Sequence, residues 1–185
     1  MTDLRYPIGK FEWNLPATEE QSAKDRARYI DVLAKLPASM RAAVAGLDAE
    51  QLDTPYRPEG WTVRQVVHHV PDSHMNAYVR FKLALTEEQP AIKPYDQAAW
   101  AKLHDSSAPI EVSLQLLAAL HSRWVDVLQA MPASDFGRTL YHPEQGVVTL
   151  DRMLAMYAWH SNHHLSHVTS LRERMSWKQR AAAQH

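Results

Sequence analysis

Four of the chain's eleven histidines, His160, His163, His164 and His167, fall in one stretch, "YAWHSNHHLSHV" at residues 157 to 168. This run constrains the fold more than any other feature. Apolar residues interrupt it and it lies well inside the chain, so it is not an expression tag, which would be contiguous and terminal. On a helix advancing about 100° per residue, with His160 at zero, Met153 and Leu171 fall near 20°, His164 near 40° and Tyr157 near 60°. His167 and His163 lie near −20° and −60°, whereas Asp151, Asn162 and Thr169 fall on the opposite side. At least two imidazoles therefore share the apolar face, and a buried ring nitrogen without a partner costs about 1 to 3 kcal/mol. Any fold this chain adopts must give its core a polar centre.

Helical patterning continues elsewhere. "ATEEQSAKDRARYIDVLAKL" opens with Thr18 and Gln21 in capping-box spacing, followed by Tyr29, Val32, Leu33 and Leu36; Pro37 is expected to break or restart this helix. A turn-rich segment through "DTPYRPEG" precedes a second capping box, Thr62 and Gln65, and a helix to about Leu85. Residues 86 to 109 carry three prolines and read as a long loop with one short helix near Ala98. A third long helix follows Pro109, with Ile110, Leu114, Leu117, Leu120, Trp124 and Leu128 at helical spacing, and closes at Met131 and Pro132. "FGRTLYHPEQGVV" is a connector with short strand character, and Thr149 starts the last helix, which runs to about Met175. The expected class is all-α, a four-helix bundle with long crossover loops, as one domain over residues 1 to 178 with a disordered tail at 179 to 185.

Composition narrows the chemistry. With 185 residues and 20 basic against 21 acidic side chains, the net charge is −1, and no basic run suggests a nucleic-acid partner. No apolar stretch is long enough to span a membrane and no signal peptide is evident, so the expected location is cytoplasmic. The absence of cysteine removes thiolate nucleophiles and sulfur ligation, so any metal must bind nitrogen and oxygen. None of the five glycines builds a phosphate-cradling loop.

Histidines at i and i+4 on one helix face can converge on one cation, and a third ligand should come from a neighbouring helix. The second long helix offers His68, His69 and His74. His68 faces away from the stripe of Val63, Val66, Val70, Ala77 and Phe81; His74 lies near its middle and His69 at its edge, heading a polar stripe of Asp72, Ser73, Asn76 and Arg80. Pro71 makes ideal angles unreliable beyond it, and periodicity leaves His69 and His74 both open.

Together with "YPIGKFEW", "LDTPYRPEGWTVRQVVHHVPDSHMN", "RFKLALTEEQPAIKPYDQAAWA" and "APIEVSLQLLAALHSRW", the histidine run resembles the DinB/YfiT metalloprotein superfamily, and within it the YfiT-type metal-dependent hydrolases, over nearly the whole chain. The resemblance implies a four-helix bundle, a homodimer, and one divalent ion per chain, zinc first and nickel second, on three histidines. Matched residue by residue, those are His69, ahead of Val70, Pro71 and Asp72, and the pair His160 and His164. Pro71 departs from the family, which usually has alanine there.

The resemblance further implies a hydrolase acting on a small-molecule substrate, with the ion activating water through an open coordination position. Two alternatives stand beside it: a metal-dependent S-transferase or isomerase using a low-molecular-weight thiol, and a non-enzymatic metal-binding or stress-response module. No general base of the HExxH kind is present, and no substrate is named. His163 and His167 are expected at the rim or at a dimer contact. Asp72, Asn76 and Arg80 are candidates to orient ligands or substrate, Tyr141, His142 and Glu144 to reach the pocket, and Trp61, Trp100, Trp124 and Trp159 to form core or pocket wall.

Overall fold

Capping residues set the helix starts. In the computed structural model, which describes residues 3–177, Thr18 Oγ1 accepts from the Gln21 amide at 3.2 Å and opens α1, Glu19–Val44. A capping box of Asp48 and Gln51 opens the short α2, Ala49–Leu52, inside a segment whose sequence suggests only turns. The expected Thr62–Gln65 box opens α3, Val63–Thr86. The following crossover contains α4, Gln97–Trp100, and a 3₁₀ turn at His104–Ser107. Then come α5, Glu111–Ala130, a hairpin of β1, Thr139–His142, and β2, Gly146–Thr149, and finally α6, Leu150–Arg174, capped by Thr149. The tail expected to be disordered lies outside the described residues.

One expectation is corrected. Pro37 does not break the first helix: α1 runs through it without interruption. Proline removes one backbone donor, which leaves the carbonyl four residues earlier, that of Leu33, without its helical partner. A side chain from another helix takes that carbonyl, His121 Nδ1 at 2.6 Å.

The architecture is a four-helix bundle. Helix α1 packs along α5 and α6, and α3 packs along the same two, so α1 and α3 occupy diagonal corners. Helices successive in sequence are thus not always neighbours, and this is why the connections must be long. The antiparallel hairpin pairs Thr139 with Thr149, and Tyr141 also exchanges backbone hydrogen bonds with Pro90 and Ile92, pinning the crossover after α3. A half-buried bidentate pair, Arg26 to Asp151 at 2.7 Å, joins α1 to the start of α6; Arg172 donates to the carbonyls of Ala43 and Ala45 and joins their far ends.

The apolar core divides in two. One cluster gathers Leu33, Phe81, Trp124, Leu128 and Leu154; the other gathers Leu36, Met40, Val66, Val70, Leu117 and Val168. Beside these clusters a run of touching imidazoles joins His74 of α3, His121 of α5 and His160 and His164 of α6. This polar run positions the site.

Candidate metal centre

Helices α3 and α6 are neighbours, and they bring His69 together with His160 and His164. The rings of the i, i+4 pair on α6 meet edge to face, with centroids 4.4 Å apart and planes inclined at 73°, and His69 stands 5.4 Å from His160 and 4.8 Å from His164. The Nε2 atoms of His69 and His160 face each other at 3.4 Å. That distance is long for a hydrogen bond, but two nitrogens each 2.0 to 2.1 Å from a tetrahedral zinc stand about 3.3 to 3.4 Å apart. The His69–His160 pair therefore has the separation such an ion would need, and His164 offers a nitrogen within 4.8 Å of both.

Protonation favours the same role. Burial pushes His69 down to about 4 and holds His160 and His164 well below the ordinary histidine value, with neighbouring imidazoles adding to the shift. All three are neutral at pH 7, the form that can ligate a metal. Trp61 walls the site, its ring 4.5 Å from His69 and stacked at 17° to His164.

His74, the alternative left open by periodicity, lies on the other side of His160. Its Nε2 is 3.0 Å from His160 Nδ1, and its own Nδ1 is 2.9 Å from His121 Nε2. It therefore meets His160 on the nitrogen opposite to the one that faces His69. The sequence reading did not single out His121, although the α5 core stripe of Leu117, Trp124 and Leu128 has His121 in register with it. His68 points off the core stripe as expected but is covered rather than solvated: Ser113 Oγ lies 2.7 Å from its Nδ1 and the Ala108 carbonyl 3.0 Å from its Nε2.

His163 and His167 are buried, not at an open rim, and with His164 they form a second group able to hold a cation. The chain's own N-terminal segment reaches over them. His167 Nε2 donates to the Arg5 carbonyl at 3.2 Å and its ring stacks on Tyr56 at 3.9 Å, while His163 stacks on Trp159 at 4.4 Å. The Nδ1 atoms of His163, His164 and His167 are buried with no hydrogen-bond partner.

Two cavities reach His160. One, of about 700 Å³, is lined by Arg80, Tyr95, His142, Arg152 and Tyr157; the other, of about 450 Å³, by Tyr56, Arg57, Trp61, His163 and His164. The "YHPE" segment thus contributes His142 and Glu144 to the larger cavity, while Tyr141 is exposed. Of the polar stripe on α3, Arg80 lines that cavity, whereas Asp72 and Asn76 line neither. Asp72 is half-buried and its carboxyl is pushed up to about 6, chiefly by burial; Asn76 donates to its backbone carbonyl at 2.9 Å. Trp124 belongs to the core.

Comparison with known proteins gives the chain a family. The profile of the DinB superfamily matches residues 32–168. The chain belongs to that superfamily. It is 52% identical over 177 residues to proteins from Bacillus cereus and Bacillus thuringiensis, each named "Putative metal-dependent hydrolase", covering 96% of this chain and all of theirs. The solved structure of YfiT from Bacillus subtilis, described as "a probable metal-dependent hydrolase with an unusual four-helix bundle topology", is 49% identical and superposes with a TM-score of 0.88 over 95% of this chain and 99% of that one. Among the described residues, no helix is long and apolar enough to cross a membrane.

Proposed function

We propose that this DinB superfamily member is a metal-dependent hydrolase that holds one divalent ion, zinc first and nickel second, on His69, His160 and His164. The observation that carries the reading is the 3.4 Å approach of two neutral Nε2 atoms from different helices, one buried and one half-buried, beside the third imidazole. Three protein ligands leave at least one position open, which separates catalytic zinc sites from closed structural ones. Bound there, the ion would supply Lewis acidity, lowering the pKa of bound water toward about 7 and polarising a carbonyl.

The chain's own residues then select and orient the substrate. The larger cavity has room for a small molecule and ends at His160. Arg80 and Arg152 line it, and neither is in a salt bridge among the described residues. Of the two carboxylates on the same wall, Asp96 accepts from the Ala98 and Ala99 amides to cap α4, and Glu144 sits on the exposed hairpin turn. A substrate carrying an acidic group would give these guanidinium groups their counter-charge.

The test is a panel of amides and esters, with and without a carboxylate, presented to metal-loaded, stripped and reloaded protein. Turnover without thiol, lost on stripping and restored on reloading, supports the hydrolase. Turnover only when a small thiol is added would replace it with thiol transfer. No turnover, together with a large drop in Tm on stripping, would replace it with a metal-braced binding module.

A further inference from the structure

Each of the four long helices contributes one member to a single buried line of hydrogen bonds. It begins on α1 at the Leu33 carbonyl, passes through His121 of α5 and His74 of α3, and ends at His160 of α6; the successive distances are 2.6, 2.9 and 3.0 Å. His74 and His121 are 0% and 1% exposed, so the bond between them is closed to solvent.

The direction of the line follows from its first atom. Pro37 has no N–H, so the Leu33 carbonyl lacks its helical donor and is free to accept from a side chain. A carbonyl cannot donate, so His121 Nδ1 carries the hydrogen and its Nε2 is a bare acceptor. His74 Nδ1 must then donate to that acceptor, which leaves His74 Nε2 bare. His160 Nδ1 must donate in turn, which leaves the lone pair of His160 on Nε2, the atom facing His69 at 3.4 Å. With neutral rings no reversed arrangement satisfies every contact.

We infer that His74 and His121 are positioning residues: anchored on the carbonyl that Pro37 frees, they fix His160 in the tautomer and orientation that present Nε2 to a metal ion. The inference rests on His160 being a ligand, as proposed above. Metal-bound histidines commonly have their other nitrogen held by a carbonyl or carboxylate. Here the holding group is a carbonyl of α1 acting through two intervening imidazoles, one on α5 and one on α3. A cluster serving only to fill the core would have no need of histidines in series, since apolar groups of similar shape would pack there without any polar atom to satisfy.

The experiment has two independent readouts, histidine ¹⁵N chemical shifts and zinc affinity. In metal-free protein labelled at histidine, long-range ¹H–¹⁵N correlations should show His121, His74 and His160 all as Nδ1–H tautomers. His74→Leu should release His160 from that tautomer and weaken zinc binding by about 10- to 100-fold. His74→Gln, which can both accept from His160 and donate to His121, should recover most of the affinity. Pro37→Ala touches neither the triad nor the two cavities that reach His160; it should restore a helical donor to the Leu33 carbonyl, loosen His121 and weaken zinc binding several-fold. Finding His160 as the Nε2–H tautomer in the wild type would overturn the inference. So would zinc affinity within twofold of wild type in folded Pro37→Ala and His74→Leu proteins. If His74→Leu does not fold, Pro37→Ala and the tautomers decide. Full zinc binding by His160→Ala would instead sink the metal reading, while the ¹⁵N shifts would still report the direction of the line.

Discussion

Helix α6 carries two i, i+4 histidine pairs, His160 with His164 and His163 with His167, and they are built in different ways. The first pair meets a third imidazole from α3, and the rear nitrogen of His160 is held by His74. The second pair lies under the N-terminal segment, stacked on Trp159 and Tyr56, and its Nδ1 atoms have no partner. Identical spacing on one helix therefore does not mean identical chemistry. Spacing lets two rings converge, but a ligand set also needs a donor from another element; of the first pair only His160 is held from behind, since His164 Nδ1, like those of the second pair, has no partner.

The largest effect should come from breaking the first pair. His160→Ala and His164→Ala should each lose stoichiometric zinc, weakening binding by about two orders of magnitude or more, at or beyond the upper end of what loss of a supporting group costs. His163→Ala and His167→Ala should bind within about threefold of wild type. Isothermal titration and metal analysis of the four variants, with His69→Ala as a fifth, check this. If His163→Ala or His167→Ala loses the ion while His69→Ala keeps it, the comparison is inverted and the site lies wholly on α6.

Acid should test both pairs together. Burial depresses His69, His121, His163 and His167 to about 4, below the value near 6.5 of an unfolded chain. Between those values the unfolded state binds more protons than the folded one. The stability these groups contribute is therefore fully present above about pH 6.5, declines as pH falls toward 4, and changes little below that. Each such group adds up to about 1.4 kcal/mol per pH unit to the slope. Urea unfolding of metal-free protein across this window should show the decline, and His163→Phe with His167→Phe should flatten it. An unchanged slope in the double variant would mean that the second pair is not held neutral by burial. Zinc should shift the loss to lower pH, because protons must displace it from His69, His160 and His164.

Much of this contrast was legible in the sequence, and the limits are instructive. The capping residues Thr18, Thr62 and Thr149 open three of the four long helices, and the 40° offset between His160 and His164 places them on one face. The choice between His69 and His74 was not legible from periodicity, because both touch His160 and differ only in which of its nitrogens they meet. A helical wheel reports the direction of a side chain, not which ring atom a neighbour engages. Pro37 misled for a related reason: its effect on α1 depends on whether another element supplies a donor to the Leu33 carbonyl, and that donor, His121, lies 88 residues away in sequence. The Asp48–Gln51 box that opens α2 was readable, but a four-residue helix has no apolar periodicity to reinforce it.

The smallest effect, and the sharpest check on the second pair, is His167→Phe. Phenylalanine keeps a flat ring for the stack on Tyr56, whose planes are inclined by only 17°. The substitution removes the hydrogen bond to the Arg5 carbonyl, but Arg5 is exposed, so water can take that carbonyl. It also removes a buried Nδ1 that has no partner, and that offsets part of the lost bond. Unfolding at pH 7 should therefore change by less than about 1 kcal/mol, the net worth of one hydrogen bond. A loss of 3 kcal/mol or more with zinc affinity unchanged would show that the N-terminal contact with His167 is a structural anchor. The difference between the two pairs would then be one of ligand against brace.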